Sequence, residues 1–408
     1  MTAFARPAEG APATAREATT DVWLIGSEDV RLRIPFLHQL RRRGFNVTLV
    51  GSEEPDLFAA AGIPYHRYFL SRGLDPLADV RTLGELTALF HAHRPPVVHA
   101  FDTKPAMLAS FAARRAGVPV QVRTLTGLGH VFSTRSPRAL VLRPVYHVMQ
   151  AAASRAASVT VFQNRDDQAY FLRHALVSRA AAAFVPGSGI DIGLLDRQRP
   201  DPDELSALRR ELGVGDGPVV TLVSRLVRTK GVLEFCAAAR QIRRRRPDCT
   251  FLLVGPLSSE GFQAVPRHEV EDNPDVRWLG PRPDVPALLA LSDVFAFPSF
   301  YREGIPRALL EAGAMGLPLV STDMPGCREV IRDGWNGILV PPRDVDALTR
   351  ALTKLLEADP NTLAEMGRNS RAHVEQGFTL DLVADAYAEI YRRLLDRATA
   401  AAAGALRG

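Results

Sequence analysis

Three clusters in the second half of the chain have the residue types and spacing that phosphate and sugar chemistry needs. The first is Ser224-Arg225-Leu226-Val227-Arg228-Thr229-Lys230-Gly231. It follows a strand-like run, Pro218–Ser224, and precedes a helix-like stretch, Gly231–Arg246. A strand-to-helix loop sets its cations at the carboxyl edge of a parallel sheet, beside unpaired helical N–H groups. A diphosphate is held by that combination of a planar guanidinium, a point-charge ammonium and backbone donors. A solvated polar loop has the same composition and is the alternative. The second cluster is Glu303-Gly304-Ile305-Pro306-Arg307-Ala308-Leu309-Leu310-Glu311. Gly304 lets backbone approach a ligand closely, and Pro306 fits a first helical turn. Glu303 then lies in the loop and Glu311 about two turns further on, where a carboxylate could hold paired ribose hydroxyls. A helix-dipole carboxylate and a surface glutamate are the alternatives. The third cluster, Thr322–Glu329 followed by Asp333–Gly337, carries turn signals around a short helix.

These clusters need elements to position them. The chain has 408 residues, which suits two domains better than one core. Apolar residues make up 46% and charged residues 23%, the balance of an ordinary globular protein. No run of about 18 apolar residues is present, so no membrane-spanning helix is expected. Residues 1–20 read as a disordered tail without the apolar core of a signal peptide. Short aliphatic runs recur at Asp21–Gly26, Phe45–Gly51, Val97–Phe101, Val118–Leu125 and Ser158–Gln163. They resume at Pro218–Ser224, Thr250–Gly255, Val276–Leu279, Val294–Phe297, Pro318–Ser321 and Ile338–Val340. Strands apolar at nearly every position are buried on both faces, as in parallel sheets covered by helices. Stretches such as Ile34–Arg43 and Ala106–Ala116 are long enough for crossover helices.

The pattern predicts two doubly wound α/β domains in series, with ligands in the cleft between them. The expected boundaries are 21–195 for the first domain and 196–380 for the second. Asp191–Pro202 reads as the linker, and 381–408 as a helix crossing back to the first domain. Charge is uneven: residues 1–200 carry +8 and residues 201–408 carry −3. A basic first half could face an anionic membrane or a phosphate-bearing substrate. Within it, Val131–Ala153 reads as a helix, with Arg135, Arg138 and Arg143 beside Phe132, Leu140, Leu142, Val145 and Tyr146. That composition suits a membrane interface or ordinary packing on the sheet. Cys236, Cys249 and Cys327 have no metal-type spacing and are expected to be free thiols in a reducing cytoplasm. Asp201-Pro202-Asp203 and Asp344-Val345-Asp346 match the acidic triplet of metal-dependent transferases, but both flank helices. Gly187-x-Gly189 leads into the linker instead of a dinucleotide-binding helix. No metal, no cofactor and no nucleic-acid partner is expected.

Arg225-Leu226-x-x-x-Lys230-Gly231, the glutamates Glu303 and Glu311, and Pro325-Gly326-Cys327-Arg328-Glu329 together resemble the retaining glycosyltransferases of family four. Thr126-Gly127-Leu128-Gly129, Phe162-Gln163-Asn164 and Val185-Pro186-Gly187-Ser188-Gly189-Ile190-Asp191 look like its bacterial branch, which builds glycans on polyprenyl diphosphate. The resemblance covers roughly residues 21–395 and implies a GT-B architecture of two Rossmann-like domains. It implies that Arg225 and Lys230 bind the donor diphosphate and that Glu311 binds the ribose. Glu303, with Gly304 and Ile305, would meet the donor sugar and its phosphate, and Gly280 and Arg282 the base, usually uracil. On the acceptor side it leaves Gly26, Ser27, His99, Lys104, Thr126, Gly127 and Gly129 as candidates. Thr126 stands where many relatives have histidine. The implied activity is retaining transfer from a UDP-sugar to a glycan or polyprenyl-diphosphate-linked acceptor, by a cytoplasmic enzyme held peripherally on the inner face of the cell membrane. A nucleotide-sugar 2-epimerase and an inactive scaffold of polysaccharide assembly are the competing readings.

Overall fold

Aliphatic runs without polar alternation form two all-parallel sheets. The computed structural model describes residues 19–71, 75–129, 132, 137–257 and 263–405. Residues 1–18 of the expected tail lie outside them, while Thr20 already belongs to the first strand. The first sheet holds β1 (Thr20–Ile25), β2 (Phe45–Gly51), β3 (Tyr65–Arg67), β4 (Val97–Phe101), β5 (Val120–Leu125), β6 (Val159–Phe162) and β7 (Ala182–Phe184). Their order is β3-β2-β1-β4-β5-β6-β7. The second holds β8 (Val219–Val223), β9 (Thr250–Val254), β10 (Arg277–Trp278), β11 (Val294–Phe297), β12 (Leu319–Thr322) and β13 (Gly337–Val340), in the order β10-β9-β8-β11-β12-β13. The short edge strands β3 and β7 escape the aliphatic pattern because each is three residues long and none of their residues is fully buried.

In both sheets the winding direction reverses once, between β1 and β4 and between β8 and β11. Crossover helices leave the sheet on opposite sides of such a point, so a crevice opens at the carboxyl ends of the two strands. Ser27 and Asp102 follow β1 and β4. Arg225 and Ser299 follow β8 and β11. The two crevices face one another across the domains, because Ser27, Asp102 and Arg225 line one cleft together with Glu303, to which Ser299 is bonded.

The helices that matter here are α1 (Ile34–Arg42), α2 (Pro76–His93), α3 (Thr103–Arg115), α4 (Pro137–Ala156), α5 (Arg165–Arg173), α6 (Val232–Arg243), α7 (Arg307–Ala314) and α8 (Leu380–Ala405). The chain passes between the domains at two adjacent points. Ile190 and Thr379 form a parallel bridge, with Ile190 N–H donating to Phe378 O and Leu380 N–H donating to Ile190 O, both at 2.9 Å. The stretch expected as the interdomain linker, Asp191–Pro202, follows the crossing at Ile190 and is helical over Ile192–Arg197. Asp191 caps that helix, and Leu195 is buried in the second domain's core. The Pro and Asp residues that read as a linker start the next helix: Asp201 and Glu204 form a capping box around Pro202–Glu211. Asp344 likewise caps Val345–Leu356, so the first acid of each triplet serves as a helix cap. Cys236, Cys249 and Cys327 are buried free thiols.

Helix α8 carries the last apolar stripe of the chain, and it lies on the first sheet. Leu380, Val383, Ala384, Tyr387, Ala388, Tyr391 and Leu394 recur at helical spacing and join a core with Val22, Leu24, Phe36, Val97 and Val122. Tyr391 and Tyr387 reach between the strands. Tyr391 OH lies 2.5 Å from His99 Nδ1, while Thr124 Oγ1 lies 2.7 Å from His99 Nε2 and 2.9 Å from Tyr387 OH. His99 has no solvent exposure, and burial holds its pKa well below the usual 6.5. The folded protein therefore carries this imidazole neutral, while the unfolded chain protonates it below about pH 6.5. Stability contributed by this site is intact above that pH and falls as the pH drops, by up to about 1.4 kcal/mol per unit. Chemical denaturation at pH 7.5 and 5.5 should show a smaller acid loss for His99→Gln than for the wild type. Equal losses would mean that His99 is protonated in the folded state.

Candidate active site

The walls of the interdomain cleft come from the four strand ends at the reversal points. The cleft encloses about 960 Å³ and is lined by Ser27, Asp29, Arg31, Asp102 and Lys104 from the first domain. The second domain adds Ser224, Arg225, Lys230, Glu303 and Arg307. Of the sequence-predicted donor residues, the structure brings Arg225, Lys230 and Glu303 together here. Lys230 Nζ sits 2.7 Å from Glu303 Oε2 and 5.2 Å from the centre of the Phe297 ring. Ser299 Oγ donates to Glu303 Oε1 at 2.8 Å. Lys230 and Glu303 side chains are each 15% exposed. At that depth an ion pair is screened far less than at the surface, and the ammonium is held ready for an incoming anion.

Glu311 lies next door. Arg307 Nε donates to Glu311 Oε1 at 2.8 Å, one turn along α7. Glu311 lines a second hollow of about 260 Å³, with Arg33, Ser188, Asp191, Pro283 and Val285. Leu32 and Arg307 line both hollows, so the two form one continuous trough. Ile305 packs towards Gly187. Gly280 and Arg282 line neither hollow. Gly280 O accepts from Gly255 N, and Arg282 is held by Asp284 at 2.6 Å and by Glu211 at 3.5 Å. The two residues that the resemblance implies for the base are thus each engaged with other partners, Gly280 with Gly255 and Arg282 with Asp284 and Glu211.

The first-domain candidates divide. Ser27 and Lys104 line the cleft. Lys104 is anchored by Asp79 Oδ1 at 2.5 Å and Ser71 O at 2.7 Å. Gly26 does not offer its amide: that N–H donates to Val50 O within the sheet, and its carbonyl accepts from Tyr68 OH. His99 does not reach the cleft. It is sealed beneath α8, so the expectation that it meets the acceptor is corrected: a strand residue pointing into the helix layer cannot also face the crevice at the strand end. Thr126, Gly127 and Gly129 line neither hollow and instead form the seam between the domains. Gly304 N–H donates to Thr126 O at 2.6 Å, and Gly129 N–H to Arg302 O at 3.3 Å. Gly127 has φ 125°, and a Cβ built there would lie 2.6 Å from Arg302 O and 2.7 Å from Gly304 N. The glycines that read as ligand-facing are there because two backbones touch.

Sequence reasoning missed three contributors. Asn164 Nδ2 crosses the seam to Glu303 O at 3.1 Å. Arg302 pairs with the nearly buried Asp167 at 2.7 Å, with its guanidinium 5.2 Å from the Tyr170 ring centre. Burial raises the Asp167 carboxyl, and Arg302 opposes that rise. The third is Asp102, in the cleft wall, at φ 67° and ψ 178°. A side chain is uncommon in that region, and holding one there costs about 1–3 kcal/mol. Asn164 stands in a motif that carries the resemblance but with no role attached, and Arg302 and Asp102 carry no local signal, since each role depends on what the other domain or strand places opposite.

With this geometry in place, the comparisons with known proteins fall on both domains. Residues 217–358 match the family model described as glycosyl transferases group 1, and residues 36–187 the one described as glycosyl transferase 4-like domain. The chain is a glycosyltransferase of the GT-B fold, built from these two domains. Its relatives include an Escherichia coli UDP-Gal:alpha-D-GlcNAc-diphosphoundecaprenol alpha-1,3-galactosyltransferase, 26% identical over 88% of this chain and 92% of that one. A GDP-mannose-dependent alpha-(1-6)-phosphatidylinositol monomannoside mannosyltransferase of Mycolicibacterium smegmatis is 37% identical over 50% of this chain and 56% of its own. Among solved structures, Anabaena Alr3699/HepE in complex with UDP-glucose superposes with a TM-score of 0.74 at 21% identity, covering 91% of this chain and 99% of that one.

The seam yields a test. Gly127→Ala puts a methyl group against Arg302 and Gly304 and should force the domains apart. Nucleotide affinity should fall at least about tenfold, the cost of prying open a packed contact. Small-angle scattering should show a larger radius of gyration, with far-UV dichroism unchanged. Unaltered affinity and size would show that the seam does not set the closed geometry.

Proposed function

We propose that this glycosyltransferase moves a hexose or N-acetylhexosamine from a UDP-sugar to a glycan carried on polyprenyl diphosphate, with retention of anomeric configuration. The observation that carries the reading is the pairing of Arg225 and Lys230 at the β8/β11 crevice, opposite a first-domain wall that also carries cations. Near-complete coverage of a relative named for UDP-Gal and a diphosphoundecaprenol acceptor supports the donor and acceptor classes. The structural neighbour solved with UDP-glucose is consistent with the same donor. The more identical but shorter match to a GDP-mannose-dependent enzyme favours a second reading for the donor alone, a GDP-sugar.

In this reading the diphosphate lies across Arg225 and Lys230, the ribose meets Glu311, and Glu303 exchanges part of its hold on Lys230 for the sugar. Departure of the nucleotide diphosphate leaves an oxocarbenium-like sugar, and the acceptor hydroxyl attacks from the same face, passing its proton to the departing phosphate. Charge on the leaving group grows along that path, so two fixed cations stabilise the transition state more than the ground state.

The acceptor's lipid requires a membrane surface. Among the described residues no helix is long and apolar enough to cross one. Helix α4 exposes Val145, Val148 and Met149, and its Arg143 lies 5.5 Å from the Phe132 ring centre. Val131 and Arg135 lie outside the described residues, as do the side chains of Arg138 and Leu140. The exposed apolar face and the positive first half support peripheral attachment on the cytoplasmic side.

Incubating the protein with UDP- and GDP-sugars and alpha-D-GlcNAc-diphosphoundecaprenol should give a product with UDP and not with GDP donors, and chelator should leave the rate unchanged. Products from GDP-mannose alone would transfer the reading to the second donor. Lys230→Ala should lower kcat about a hundredfold, on the order of 3 kcal/mol, and Lys230→Arg should not fully restore it. Arg245→Ala, on an exposed helix end, should be silent. A Lys230→Ala variant that folds and keeps near-normal turnover would overturn the diphosphate assignment.

A further inference from the structure

We infer that Asp102 binds hydroxyl groups of the acceptor sugar and fixes its orientation in the cleft. The inference rests on the glycosyl-transfer reading and adds a residue to it. Three observations converge. The first is backbone: at φ 67° and ψ 178°, Asp102 occupies a region that glycine fills without strain, yet the position carries a side chain. It precedes α3 as its N-cap residue but makes no side-chain cap bond. The carboxylate therefore does not cap the helix through a hydrogen bond.

The second observation is where the side chain goes. It lines the cleft that also holds Arg225, Lys230 and Glu303, and it remains 27% exposed. Thr126 Oγ1 donates to Oδ1 at 2.9 Å, and Arg33 Nη2 stands 3.9 Å from the same oxygen. Arg33 is itself fixed, 3.7 Å above the Phe101 ring. Among the described residues, Oδ2 has one partner, the Ser27 hydroxyl at 3.4 Å. That hydroxyl has a shorter acceptor in Asp29 Oδ1 at 2.9 Å, and it has one proton to give. One carboxylate oxygen is thus held in place, and the other retains room for donors. Burial raises the carboxyl's pKa, and Arg33, Thr126 and Ser27 oppose that rise, as any further hydrogen bond to the charged form would.

The third observation is linkage to the donor side. Thr126 bonds Asp102 through its hydroxyl and accepts Gly304 N–H through its carbonyl. Gly304 adjoins Glu303, the partner of Lys230. One residue therefore ties the Asp102 carboxylate to the loop that carries the donor-side glutamate. A sugar whose hydroxyls meet Oδ2 is placed relative to the donor by two hydrogen bonds and one short backbone turn. A carboxylate with an open oxygen suits a polyol, because vicinal hydroxyls present paired donors to it.

The test separates a substrate contact from a structural brace. Transfer is measured with UDP-galactose and alpha-D-GlcNAc-diphosphoundecaprenol for the wild type, Asp102→Asn and Asp102→Gly, with UDP affinity and Tm measured alongside. Asn keeps an acceptor for Thr126 but loses the charge, and Gly removes the side chain from a backbone that suits it. For both variants the acceptor KM should rise at least about tenfold, while UDP affinity changes less than about twofold and Tm does not fall for Asp102→Gly. Wild-type acceptor kinetics in Asp102→Asn would overturn the inference and leave the glycosyl-transfer reading intact. So would a parallel loss of UDP affinity and Tm in both variants, since that marks a brace. A wild type that transfers no sugar to this acceptor from UDP-galactose or any UDP- or GDP-sugar would overturn the reading and the inference together.

Discussion

The close approach of two loops, Thr126–Gly129 from the first domain and Arg302–Gly304 from the second, is the contact on which the site depends. Each loop lies at the carboxyl edge of its own sheet, and the backbones come near enough for Gly304 N–H to donate to Thr126 O. Side chains would not allow it, as the space around Gly127 and Gly304 shows. Around this contact lie the Asn164 bond to Glu303 O, the Arg302–Asp167 pair and the two-point crossing at Ile190 and Thr379. The cleft is the volume left when these contacts are made, so its shape is a property of the seam as much as of either domain.

Charge is arranged differently on the two walls of the cleft. On the second-domain wall a lysine rests on a glutamate 2.7 Å away, both largely shielded from solvent. A pair of this kind is poised: removing either partner strands the other charge, while an arriving diphosphate offers the ammonium a stronger partner. The first-domain wall mixes Arg31 and Lys104 with Asp29 and Asp102. Helix α8 supports that wall from behind. The last helix of the chain thus completes the core of the first domain, with His99 sealed between strand and helix.

Much of this organisation is legible in the sequence because it is local. Aliphatic runs separated by helical stretches announce parallel sheets; Arg225, Lys230 and Glu303 sit in strand-to-helix loops and Glu311 in the helix that follows, positions that follow from that alternation. Reading failed where one stretch of chain says nothing about its partner. Asp191–Pro202 has linker composition, yet its acids are helix caps. His99 looks like a strand-end ligand, but two tyrosines nearly 300 residues later bury it. The glycines near Thr126 look like a ligand loop and are a contact between domains. Asp102 shows nothing in sequence, because backbone strain and an open carboxylate oxygen exist only in three dimensions.

The central claim is that the β8/β11 crevice receives a nucleotide diphosphate between Arg225 and Lys230, with the ribose at Glu311. A crystal structure of the protein with UDP tests it most directly. Phosphate oxygens should lie within hydrogen-bonding distance of both the Arg225 guanidinium and the Lys230 ammonium, with ribose hydroxyls on the Glu311 carboxylate. UDP bound elsewhere, with the Lys230–Glu303 pair undisturbed and the trough beside α7 empty, would contradict it.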